Sequence, residues 1–202
     1  MKLIGMLDSP YVRRVAISLR LLGLDFEHQA ISVFSTYDAF AAINPVVKAP
    51  TLVTDEGVVL MDSGLILEHA ERLAGLTLSP ADLAAHARSQ RIIGLALAAC
   101  EKSVQIVYEQ LLRPEEKRHQ PWLDRVRGQL VQAYHLLEQE VSLARPWCFG
   151  DQPLQADITS AVAWRFTREM VPETLDPQAL PALNRLSQRA EASEPFVEFP
   201  FH

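Results

Sequence analysis

The chain has 202 residues, 49% of them hydrophobic and 22% charged, a balance that excludes disorder and fits one substantial core or two modest ones. Its formal net charge of -6 opposes the attraction to phosphate backbones on which nucleic-acid binding relies, so no nucleic-acid partner is expected. Asp8 breaks the opening apolar run too early for a signal-peptide core, and Ile92 to Cys100 is far below the roughly 20 residues of a membrane-spanning helix; a cytoplasmic protein with no membrane partner is expected.

Lys2 to Met6 reads as a short strand that Asp8-Ser9-Pro10 cuts off. Val12, Val15, Ala16, Leu19 and Leu22 then recur at helical spacing, and Gly23 offers a stop. Phe26 to Val33 alternates as a strand does. Tyr37 to Ile43 predicts a short helix, ended by Asn44-Pro45 because a residue before proline is pushed out of the helical region. Thr51 to Thr54 and Val58 to Met61 flank a glycine-containing loop and predict an antiparallel hairpin. Ser63 to Leu73 predicts a helix that Gly75 closes. A βαβα-ββα unit over residues 1–75 follows.

Thr77 to Asp82 is a polar linker. Beyond it, amphipathic helical patterns cover Leu83 to Leu112, Trp122 to Leu143, Ala156 to Met170 and Leu180 to Ala192, separated by prolines. An all-helical domain over residues 83–202 is expected. Cys100 and Cys148 are the only cysteines, and a reducing compartment would keep them as thiols. The histidines show no metal-ligand spacing and no glycine-rich phosphate loop is present, so neither metal nor nucleotide is expected.

Ser9-Pro10-Tyr11-Val12 sits at the strand-to-helix junction, where serine and proline suit the N-cap and first helical positions. The pattern also resembles the Cys-Pro-Tyr-Cys turn of glutaredoxins, with Ser9 and Val12 at the two cysteine positions, so dithiol exchange is absent. A hydroxyl at a helix N-terminus can instead donate to a ligand's thiolate, which the helix dipole also favours. Lys48, Pro50, Asp62 and Ser63 have ordinary roles as well: a solvated charge, a strand-opening proline and a helix cap.

Taken in order, Ser9-Pro10-Tyr11-Val12-Arg13-Arg14-Val15, Asn44-Pro45 with Lys48-Ala49-Pro50-Thr51-Leu52, and Asp62-Ser63 resemble the glutathione-binding domain of cytosolic glutathione S-transferases, with serine-type classes the nearest kinds. The resemblance implies a thioredoxin-like domain followed by a helical domain, glutathione as co-substrate, and a homodimer. It also implies conjugation of glutathione to small hydrophobic electrophiles, a detoxifying chemistry. Carried over residue by residue, Ser9 would face the glutathione thiol, Ala49 would pair its backbone with the cysteinyl part ahead of a cis Pro50, and Lys48 would reach the glycyl carboxylate. Asp62 and Ser63 would hold the γ-glutamyl end.

Tyr11, Phe34, Tyr108 and Trp164 are candidates for an electrophile pocket between the domains. Arg13 and Arg14 are expected on a solvated or domain-interface face with no catalytic role. Asp157 resembles the family's helical-domain capping motif, but Leu154 stands where serine or threonine is usual, so half of that box is expected to be missing. A non-catalytic regulatory or protein-binding module of the same fold, and a glutathione-dependent isomerase or dehalogenase, are the alternative readings.

Overall fold

The computed structural model describes residues 1–202, which divide into two compact units. The first comprises Met1–Leu78 together with Ala192–His202; the second is Ser79–Glu191. The helical domain read from the sequence ran to His202, whereas the last eleven residues belong to the first unit. The physical reason is Arg13, whose Nε donates to the Phe199 carbonyl at 2.8 Å.

In the first unit, β1 (Lys2–Ile4), α1 (Pro10–Leu21), β2 (Glu27–Gln29), α2 (Tyr37–Ile43), β3 (Thr51–Val53), β4 (Val59–Leu60) and α3 (Ser63–Ala74) follow one another. The sheet order is β2-β1-β3-β4. β1 pairs parallel with β2, Leu3 opposite His28, while β1 with β3 and β3 with β4 are antiparallel. The connection from β1 to β2 carries α1, as a parallel pair requires a crossover. This mixed sheet with flanking helices is the thioredoxin-like arrangement.

The strands are shorter than the alternating stretches that predict them, because pairing stops where the backbone turns into the loops. The helix α1 buries Val12, Val15, Ala16 and Leu19, and α3 packs on it. Near the C-terminus a short helix, numbered α8 below (Glu194–Glu198), also packs on α1. Phe199 stacks on Phe26 with ring centroids 5.5 Å apart.

The second unit holds α4 (Leu83–Leu111), α5 (Gln120–Val141), α6 (Gln155–Met170) and α7 (Pro181–Glu191). Its core is tied by a buried hydroxyl chain: Tyr134 Oη donates to the Ala163 carbonyl at 2.9 Å and meets Thr167 Oγ1 at 2.6 Å, which in turn meets Ser103 Oγ at 2.7 Å. Buried hydroxyls are tolerated only when so paired. The start of α7 is capped from outside its own segment, because the Glu138 carboxylate accepts from Ala182 and Leu183 N–H at 2.7 and 2.8 Å. No helix is long and apolar enough to cross a membrane.

Candidate functional site

Ser9 caps α1, with extended backbone (φ -70°, ψ 122°) and Pro10 in the first turn. Its Oγ accepts from Val12 N–H at 3.4 Å, a long bond. Because the oxygen is the acceptor there, the hydroxyl proton is left to donate elsewhere. The residue is half-buried. The ordinary role and the site role therefore use different parts of one hydroxyl, and neither excludes the other.

The loop carrying Lys48, Ala49 and Pro50 is fixed from beneath. Asn44 Nδ2 donates to Thr51 Oγ1 at 2.9 Å, and that hydroxyl donates to the Lys48 carbonyl at 2.8 Å. Asn44 Oδ1 also accepts from Val46 N–H at 3.1 Å. Both anchors are buried. The Ala49–Pro50 bond is cis, as is the Met61–Asp62 bond just before α3. Val47 adopts φ 51°, a region that β-branched residues rarely occupy. Lys48 is exposed, Ala49 half-buried and Pro50 buried.

Asp62 caps α3, its Oδ1 accepting from Gly64 N–H at 2.7 Å. Ser63 follows at the first helical position and is 3% exposed. The end of α3 that offers free N–H groups is thus lined by one carboxylate and one hydroxyl, a setting that suits an anion and a neighbouring ammonium group.

The helix α1 joins these segments. Gly5, at the end of β1, has φ 138°, and a Cβ there would stand 2.5 Å from Val12 Cγ2 and 3.3 Å from Ala49 Cβ, so glycine allows the close approach. On the α3 side, Arg14 Nη1 donates to Ser63 Oγ at 3.2 Å. Of the two faces expected for Arg13 and Arg14, solvated or domain-interface, the solvated one is excluded. They are 0% and 4% exposed. Arg13 is drawn inward by the Phe199 and Phe196 carbonyls, at 2.8 and 3.4 Å, and lies 5.3 Å from the Phe196 ring centroid.

The aromatic candidates separate. Phe34 and Tyr108 are 55% and 44% exposed, on the first and second units respectively, and Tyr11 is half-buried on α1. Trp164 is corrected from pocket to core. It is 1% exposed, its Nε1 donates to Asn184 Oδ1 at 2.8 Å, and it meets Tyr134 edge-on at 5.1 Å. That geometry satisfies the one polar atom of a buried indole.

Asp8, exposed at the surface beside Ser9, has its carboxyl raised above the ordinary range by partial desolvation, offset in part by the Ser9 N–H and His202. In the second unit, Asp157 accepts from Leu154 N–H at 3.0 Å and Cys148 N–H at 2.9 Å. The carboxylate half of the box is present and leucine supplies no acceptor for the other half. Burial raises the Asp157 carboxyl despite these bonds, and burial together with Asp157 pushes the Cys148 thiol far above its usual range. Both cysteines are buried thiols that form no disulfide. Histidine, cysteine and acidic side chains form no group of three that could hold a metal ion.

Residues 3–78 match the family described as "Glutathione S-transferase, N-terminal domain". The chain is 30% identical over 208 residues to a maleylacetoacetate isomerase of Pseudomonas aeruginosa, covering 97% of this chain and 93% of that protein. It is 32% identical over 139 residues to an uncharacterized GST-like protein of Escherichia coli, covering 68% of each. Among solved structures, it resembles a glutathione S-transferase of Methylobacterium radiotolerans in complex with glutathione sulfonate. That likeness has a TM-score of 0.90 and 29% identity, and covers 100% of this chain and 95% of the other.

Proposed function

We propose that this chain, which belongs to the glutathione S-transferase family, binds glutathione on its first unit and adds the glutathione thiolate to a small hydrophobic electrophile. The observation that carries the reading is the Ser9 hydroxyl. It caps α1 with its oxygen and keeps its proton for a partner. A free thiol of this type has a pKa of about 8.5, so only a few per cent is ionised at neutral pH. Lowering that to about 6.5 takes roughly 2.7 kcal/mol, a demand that a hydroxyl donor and a helix N-terminus can meet together.

In this reading the thiol proton leaves to solvent, and Ser9 and the first turn of α1 hold the resulting thiolate. The sulfur lone pair then forms a bond to the electrophilic carbon while that carbon's leaving group departs with its electron pair. Ala49 would pair its backbone with the cysteinyl unit in the manner of an added strand, ahead of Pro50. Lys48 would meet the glycyl carboxylate, and Asp62 with Ser63 the γ-glutamyl amine and carboxylate. Tyr11, Phe34 and Tyr108, which keep open surface, remain candidates for contacting the electrophile. A cytoplasmic homodimer completes the proposal, and light scattering of the purified protein tests the dimer.

A second reading is favoured by the isomerase relative. There the same thiolate adds reversibly to a cis-unsaturated ketone, the carbon–carbon bond rotates, and expulsion of the thiolate returns the trans isomer with glutathione regenerated. Isothermal titration with glutathione, followed by assays on 1-chloro-2,4-dinitrobenzene and on maleylacetoacetate, decides. Consumption of glutathione supports conjugation and its recovery supports isomerisation. Failure to bind at millimolar concentration refutes both and leaves the protein-binding alternative.

A further inference from the structure

Arg14 lies in the first turns of α1, yet its side chain is 4% exposed and its Nη1 is 3.2 Å from Ser63 Oγ. A guanidinium has donors only, so in this pair the serine oxygen must accept. The Ser63 proton is thereby turned away from Arg14 and made available to an acceptor in front of α3. Donation into the oxygen also polarises the O–H bond, which strengthens it as a donor. At the first residue of this twelve-residue helix stands the buried Arg14 guanidinium, a full positive charge. In a poorly solvated setting that charge attracts an anion far more strongly than an exposed arginine does.

We infer that Arg14 is a positioning residue for the γ-glutamyl end of glutathione: it fixes Ser63 as a donor and biases the start of α3 toward a carboxylate. The inference rests on the glutathione reading above and extends it to a residue that touches Ser63 and not the ligand. Lysine is not an equivalent, since a compact ammonium lacks the planar fork that sets the direction of the bond. Asp62 caps the same helix through Gly64 N–H at 2.7 Å, so a buried guanidinium and an exposed carboxylate stand at one helix start, opposite in sign as the two charges of an amino-acid head are.

The test compares two ligands by calorimetry: glutathione, and its analogue 4-aminobutanoyl-cysteinyl-glycine, which lacks only the γ-glutamyl carboxylate. Arg14→Met is expected to weaken glutathione binding at least tenfold and the analogue less than threefold. Arg14→Lys is expected to fall between wild type and Arg14→Met for glutathione and to leave the analogue unchanged, and it carries the test if thermal denaturation shows that Arg14→Met does not fold. In a cycle with Ser63→Ala, the serine change is expected to cost glutathione less in the Arg14→Met background than in wild type. An unchanged ratio between the two ligands in either folded variant, or additive losses in the cycle, overturns the inference. Wild-type protein that binds neither ligand at millimolar concentration overturns the glutathione reading and this inference with it.

Discussion

Ser9→Ala separates the two uses of the hydroxyl. As a cap, Ser9 accepts from Val12 N–H at 3.4 Å, long for a hydrogen bond, so its loss is expected at the low end of capping effects, about 0.5 kcal/mol. As a donor to a thiolate it makes a charge-assisted bond, for which about 1.5–3 kcal/mol is typical. At 1.36 kcal/mol per unit, that predicts a rise of about 1–2 units in the bound thiol's pKa. Starting from about 6.5, the thiolate fraction at pH 7 would fall from roughly three quarters to between about a quarter and a few per cent. Conjugation at neutral pH should then drop by about 3- to 25-fold and recover at higher pH. The assay is the ultraviolet absorbance of the thiolate in the binary complex, followed from pH 5.5 to 9, beside thermal denaturation of both proteins. An unchanged thiol pKa with a lowered melting temperature would refute the reasoning and leave Ser9 as a cap alone.

Asp157→Ala strands the buried N–H of Cys148 and the part-buried N–H of Leu154, and a loss of about 2–4 kcal/mol in chemical denaturation is expected. Asp8, though exposed at the surface, is raised above its ordinary range by partial desolvation, so over that interval the folded state keeps a proton that the unfolded state has released. Stability therefore falls as pH rises from about 3.8 through the folded value, and Asp8→Asn should flatten that slope in urea unfolding between pH 3.5 and 6. Arg13→Met leaves the Phe199 and Phe196 carbonyls unmet; about 2–4 kcal/mol of destabilisation is expected, with faster proteolytic cleavage near Ala192.

Local chemistry made much of the first unit readable. The helix α2 has the bounds that Asn44-Pro45 and the preceding apolar spacing set, and α1 and α3 start where Ser9-Pro10 and Asp62-Ser63 place a cap. The arginines were unreadable because periodicity scores a guanidinium as polar. The partner that buries Arg13 lies 186 residues away in the chain, beyond any window. Trp164 was misread for the opposite reason. Nearly all of α6 is buried, so no stripe separates a cavity-lining aromatic from a core one. The helix α8 spans five residues, too few for a period to register.

Arg13 and Arg14 are neighbours in sequence, but successive residues on a helix point about 100° apart. One therefore turns to the C-terminal segment and the other to α3, and each is anchored by an oxygen. With Ser9 at its start and Arg14 on Ser63, α1 carries one segment of the candidate site and touches a second, while Gly5 approaches both Val12 of α1 and Ala49 of the loop. Ser9 and the first five residues of α1 fix a cap, an apolar contact and two buried charges at set angles. A substitution that rotates α1 shifts the Ser9 hydroxyl and alters the Arg14–Ser63 bond together, whereas one confined to the Lys48 loop acts on the backbone that Asn44 and Thr51 hold.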